Sequence, residues 1–194
     1  MFATEFLTDL IQRLEGRDLT YALVGSIAAM SYGEPRATLD IDVVIVLDTS
    51  HLEVIESLFP APEFYLSVDA VKEAVESKSQ FNVIHPASGM KVDFFVAGDT
   101  VEKSQIERRL RCRLLPRLNA WCSPPEELVV KKLLYYQQGA SDKHLRDITS
   151  MLRISPSQID LARLRLMTVE QGVGELWERV LQSVPEARTE SPGS

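Results

Sequence analysis

The chain predicts a mixed α/β fold, a β-sheet backed by helices to about residue 120, followed by an all-helical lobe. Three observations carry that expectation. Short runs dense in Val, Ile, Phe and Leu recur at 20–24, 39–47, 80–85 and 91–96, the lengths of strands. Segments with 3.6-residue apolar spacing lie between them. After residue 120 strand-like runs cease and helix-start signals follow one another. At 194 residues, 45% apolar and 25% charged, the chain is long enough for a catalytic core with a small helical appendage.

The elements follow in order. Ala3, Phe6, Leu7, Leu10, Ile11 and Leu14 repeat at helical spacing, and Gly16 closes that helix. A short buried strand at 20–24 breaks at Gly25-Ser26 into a helix over Ile27, Ala28, Ala29 and Met30, and Gly33-Glu34-Pro35 forces a turn. The run 39–47 is apolar at nearly every position beyond Asp42, as in a strand covered on both faces. Helices are expected near 50–58 and 68–78, then a strand pair at 80–85 and 91–96 joined through Pro86-Ala87-Ser88-Gly89. Arg109, Arg111 and Arg113 alternate onto one face of a further strand. Ser123-Pro124-Pro125-Glu126 reads as a capping box with proline at the first helical position, opening a helix to about Gln138. Helices over 142–153, from Ser155-Pro156, and around Val173, Leu176, Trp177, Val180 and Leu181 complete the lobe. The expected division is 1–120 for the core, 121–186 for the lobe and 187–194 for a polar, disordered tail.

Charge and cysteine usage narrow the function classes. A net charge of −7 argues against coating nucleic acid by bulk electrostatics. Between Lys103 and Arg117, however, six basic residues meet one acid, a local strip able to guide a polyanion. Solvation of a strand face is the weightier reading of that strip. Cys112 and Cys122 fit neither a disulfide framework nor a zinc site. No apolar run approaches the roughly 20 residues of a membrane helix. The N-terminal stretch holds Glu5 and Asp9 rather than a basic leader, so a cytoplasmic protein without a membrane partner is expected.

The chemistry concentrates in Gly25-Ser26, Asp40, Asp42 and Asp93. A strand breaking into a helix N-terminus frees backbone N–H groups for an anion. Fourteen residues after Ser26, Asp40 and Asp42 leave the same face of a strand, because side chains alternate. An anion cradle facing carboxylates suits a polyphosphate bound with a divalent ion, Mg2+ or Mn2+, which the carboxylates hold. Asp93, inside Val92-Asp93-Phe94-Phe95-Val96, needs a partner or a metal and completes the set. A lone Asp-x-Asp is usually strand-end solvation; the cradle before it and the third aspartate after it point to nucleotidyl transfer from a nucleoside triphosphate such as ATP.

These residues resemble the DNA polymerase β-type nucleotidyltransferase superfamily. Arg36-Ala-Thr38-Leu-Asp40-Ile-Asp42 is closest to the AbiEii-like branch, which includes toxins of toxin–antitoxin and phage-defence systems. Glu126 to Leu133 matches that branch's Glu-Glu-Leu-x-x-x-Lys-Leu stretch, and Arg146-Asp147 its later Arg-Asp, so the likeness covers about residues 20–153. The branch often has Gly-Gly where this chain has Gly25-Ser26. The resemblance implies a nucleotidyltransferase-fold core with a C-terminal helical lobe, Lys132 as a triphosphate contact and Asp147 as a polar active-site residue. An antitoxin partner is implied on the same ground alone.

Periodicity does not choose between Lys131 and Lys132, which flank one apolar stripe; only the family pattern picks Lys132. Two solvated lysines, and an Asp147 paired with Lys143, are the bland alternatives. Arg36 and Thr38 are placed to reach phosphate or to orient a carboxylate. His51, His85 and His144 share no metal spacing, and Trp121 and Trp177 read as core. The acceptor hydroxyl is open among tRNA, protein and a small molecule. A catalytically silent nucleotide sensor or partner-binding subunit is the alternative function.

Overall fold

The computed structural model describes residues 3–139 and 141–184. The tail expected to be disordered, 187–194, lies outside the described residues. The chain divides into two compact units: the residues up to Ile27 with Ala37–Ser123, and Ala28–Arg36 with the chain from Pro124.

The first unit contains strands β1 (Tyr21–Leu23), β2 (Asp40–Ile45), β3 (Tyr65–Leu66), β4 (Gln80–His85), β5 (Met90–Val96), β6 (Leu110–Leu115) and β7 (Leu118–Cys122). They form one mixed sheet in the order β3-β4-β5-β2-β1-β7-β6. Helices α1 (Ala3–Glu15), α3 (Leu52–Leu58), α4 (Val68–Ser77) and α5 (Thr100–Glu107) belong to the same unit, and α2 (Gly25–Ala29) follows β1 directly.

The sheet's centre explains its sequence. β2 and β5 run parallel, with Asp40 opposite Lys91, Asp42 opposite Asp93 and Ile45 opposite Val96. On one face Ile41, Val43, Ile45, Val92, Phe94 and Val96 are buried; the other face carries Asp40, Asp42, Lys91 and Asp93. Beyond Asp42 the strand is buried on every residue, as its unbroken apolar run implies. Phe81 stacks on Phe94 with centroids 5.0 Å apart, and Phe59, Phe64 and Phe6 extend that aromatic layer. His85 is buried in the same layer, its Nδ1 2.7 Å from Ser88 Oγ in the β4–β5 turn.

Three elements go beyond the sequence reading. α5 begins with a capping box between Asp99 and Glu102. β7 alternates buried Leu118, Ala120 and Cys122 with outward Asn119 and Trp121. β3 is two residues long, too short for periodicity to register. β7 also corrects the expectation for Trp121: it is half-buried, under the guanidinium groups of Arg109 and Arg111 at 4.9 and 5.2 Å, rather than a core residue.

The second unit holds α6 (Pro125–Gln137), α7 (Lys143–Ile154), α8 (Leu161–Glu170) and α9 (Gly174–Ser183), with Trp177 fully buried among them. Pro125 starts α6 as expected, but the capping box does not form; Pro124 is the cap residue and offers no side-chain bond. Glu126 instead accepts the Asp160 N–H at 2.7 Å, and fully buried Glu127 pairs with Arg163 at 2.8 Å. Both acids therefore tie α6 to the start of α8. Ser155-Pro156 yields only a short 3-10 turn, Pro156–Gln158; α8 starts later, where Asp160 accepts the Arg163 N–H at 2.9 Å. No helix among the described residues is long and apolar enough to cross a membrane.

Candidate functional site

The acidic group lies in the first unit. Gly25 leaves β1 with φ +58°, a left-handed conformation that glycine adopts without strain. A Cβ at this position would stand 1.8 Å from Asp42 Oδ2, so the backbone of residue 25 lies directly against that carboxylate. Val24 N–H donates to the Asp42 carbonyl at 2.9 Å, which pins the β1 end to the motif strand. Ser26 follows, half-buried, in the first turn of α2. Thr38 Oγ1 accepts the Asp40 N–H at 3.3 Å and donates to its carbonyl at 3.1 Å, which sets the entry into β2.

Asp42 and Asp93 are neighbours in register on parallel strands and share a face with Asp40. The sequence reading missed their cation. Lys91 Nζ is 2.8 Å from Asp93 Oδ2 and 3.5 Å from Asp40 Oδ1. Hydrogen bonding to Asp93 raises the Lys91 pKa above the ordinary lysine value; partial burial opposes this, and the charges of Asp93 and Asp40 add to it. Spacing alone could have found it, since Lys91 stands two residues before Asp93 and must share its face. Among the described residues no three His, Cys, Asp or Glu side chains converge tightly enough to hold a metal ion by themselves. Adjacent Asp42 and Asp93 are the hard-oxygen pair that fits Mg2+ or Mn2+ when phosphate and water supply the remaining ligands.

The basic group lies in the second unit. Lys132 is 4% exposed, on the buried face of α6 with Leu128, Val129 and Leu133, whereas Lys131 is half-exposed. Its Nζ meets Asp147 Oδ2 at 2.7 Å. Arg36 grips the same carboxylate, Nε to Oδ1 at 3.2 Å and an Nη to Oδ2 at 3.4 Å. Asp147 thus pairs with Lys132 and Arg36, and Lys132 is not a solvated surface lysine. Burial alone would raise the Asp147 pKa; the Lys132 charge and hydrogen bond, then Arg36, outweigh it and hold the carboxyl below its usual range. The Gly33-Glu34-Pro35 turn that aims Arg36 is fastened by Ser150 Oγ, which accepts the Glu34 N–H at 2.6 Å. His144, stacked on Tyr135 at 5.8 Å, borders this cluster. Burial first, then the Lys132 and Lys143 charges, push its pKa below 6.5.

The basic strip is largely occupied with its own protein. Arg109 and Arg111 cover Trp121, Arg111 also meets Glu15 at 2.5 Å, and Arg113 donates to the Pro116 carbonyl at 3.2 Å.

The model of one protein family, described as nucleotidyl transferase AbiEii toxin, type IV TA system, matches residues 6–190. The chain belongs to that family and is a nucleotidyltransferase. Solved structures agree on the fold. The antibiotic-resistance factor ANT(2'')-Ia superposes with a TM-score of 0.58 at 11% identity, over 94% of this chain and 100% of that one. An antigenic nucleotidyltransferase-like protein from Paracoccidioides brasiliensis gives 0.56 at 18% identity, over 96% and 94%. The lincosamide antibiotic adenylyltransferase LnuA, lincomycin-bound, gives 0.55 at 13% identity, over 80% and 99%. No curated protein is matched by sequence.

Proposed function

We propose that this nucleotidyltransferase is metal-dependent, takes a nucleoside triphosphate and moves its nucleoside monophosphate onto an RNA hydroxyl, acting in the cytoplasm as the toxin of a toxin–antitoxin pair. The observation that carries the reading is the register of Asp42 beside Asp93 with the Gly25 backbone held against Asp42. Asp42, Asp93 and Asp40 would hold Mg2+ or Mn2+, which would neutralise triphosphate charge and activate the attacking hydroxyl.

The chain's own residues do the rest. The Gly25 and Ser26 N–H groups donate to phosphate oxygens, and the bare backbone of residue 25 leaves room for the Asp42 carboxylate beside them. The family pattern supports Lys132 as a triphosphate contact, and within the second unit Asp147 holds Lys132 and Arg36 together. Thr38 orients the strand entry that aims Asp40. The acceptor oxygen forms a bond to the α-phosphorus while the bond to the bridging oxygen breaks. Pyrophosphate leaves, and the hydroxyl proton passes to Asp93 and then to water.

The polynucleotide acceptor is supported by the exposed residues of the arginine strip, Arg108, Arg113 and Arg117. The toxin role and the antitoxin partner are supported by the family description. ANT(2'')-Ia and LnuA have antibiotics as ligands, so a small-molecule hydroxyl is the rival acceptor. Label carried in the α-phosphate tests the choice: transfer to total tRNA, abolished by Asp42→Asn, supports the proposal. Transfer only to small hydroxylated molecules, or undiminished in that variant, contradicts it.

A further inference from the structure

We infer that Lys91 is a resident counter-ion of the carboxylate face, holding a position that a second divalent ion would otherwise take. The inference rests on the metal-dependent transfer proposed above and concerns how many ions the face accepts before substrate arrives. Asp40 lies opposite Lys91 and Asp42 opposite Asp93, so three acids and one base form a square on one side of two parallel strands. The ammonium bridges two of those acids, 2.8 Å from Asp93 and 3.5 Å from Asp40.

A divalent ion held by Asp93 and Asp40 would meet that ammonium first. Such an ion must displace an ammonium that is covalently tethered to the strand, and the two positive charges repel at this range. The ammonium also occupies one oxygen of each carboxylate, Asp93 Oδ2 and Asp40 Oδ1. The nucleotide-free protein therefore does not load an ion at that position. The ion comes with the triphosphate, whose own oxygens complete its shell, and the face stays shut to ions that would load without substrate.

Lys91→Met removes the charge and keeps the chain's bulk; Lys91→Arg keeps the charge. Mn2+ is titrated into nucleotide-free protein and free Mn2+ is read by its electron paramagnetic resonance signal. Lys91→Met is expected to bind Mn2+ about tenfold more tightly than wild type, as removal of a positive charge a few ångströms from the ion requires. Lys91→Arg should match wild type, and Asp93→Asn added to Lys91→Met should abolish the gain. A folded Lys91→Met that binds Mn2+ no better than wild type overturns the inference. Thermal melts verify folding, and Lys91→Gln carries the same comparison if the methionine variant does not fold. Tighter Mn2+ binding without any nucleotide transfer would support the counter-ion role of Lys91 while sinking the transfer reading, so the two fail separately.

Discussion

Replacing Gly25 by alanine separates backbone strain from damage to the carboxylate it touches. Residue 25 has φ +58°, and left-handed backbone costs a non-glycine residue about 1–2 kcal/mol. For a chain of this size that corresponds to a loss of roughly 2–8 °C in Tm. The new Cβ would also lie 1.8 Å from Asp42 Oδ2, 2.6 Å from Cγ and 2.8 Å from Cβ, so the whole carboxylate must move by more than an ångström. A displacement of that size at a reacting group costs on the order of a hundredfold in kcat. Gly89 provides the control: its φ is +70°, yet an added Cβ meets nothing within 4 Å. Gly89→Ala should therefore lose only the backbone-strain share of Tm, Gly25→Ala that share and more, and only Gly25→Ala should lose pyrophosphate release. Equal turnover in the two variants would refute the placement of Asp42 at the reacting centre.

Further outcomes follow from the basic cluster. Lys132→Met leaves Asp147 buried with Arg36 alone and should cost about 3–5 kcal/mol in urea unfolding, as for a broken buried pair. Lys132→Met with Asp147→Asn should cost less than the sum of the single variants, because no uncompensated charge remains. Asp147 has a depressed pKa in the folded state, so its stabilisation is present above about pH 4 and is lost as pH falls through the lower folded value. Asp147→Asn should flatten the acid limb of the stability curve. The His144 pKa is depressed as well: the unfolded chain takes up its proton first, and stability falls as pH drops below 6.5. His144→Phe should remove that slope in melts between about pH 5 and 7. Arg108, Arg113 and Arg117 changed together to glutamine should weaken RNA binding in a filter assay and lessen its salt dependence; unchanged binding would remove the arginine strip from the account.

Much of the sheet was legible because alternation is a local rule. Asp40 and Asp42 had to share a face, and the apolar run after Asp42 had to be buried on both sides. That Asp93 stands beside Asp42 depends on the β2–β5 register, which no local pattern states. Alternation places Lys91 on the Asp93 face, but its reach to Asp40 depends on the same β2–β5 register. Periodicity left Lys131 and Lys132 equal and only the family pattern picked Lys132; its partner Asp147 comes from another helix, which no local pattern states. Glu126 and Glu127 read as a helix start, yet their burial serves the junction with α8, a long-range contact. Trp121 looked like core because its ring is large; the arginines that cover it supply the apolar contact without full burial.

The most direct test measures pyrophosphate release from each of the four nucleoside triphosphates with Mg2+, for wild type and Asp42→Ala, with and without total tRNA. The account predicts release by wild type from at least one triphosphate, stimulated by tRNA and lost in a folded Asp42→Ala. Release that survives the substitution, or triphosphate binding without release under every condition, would contradict it.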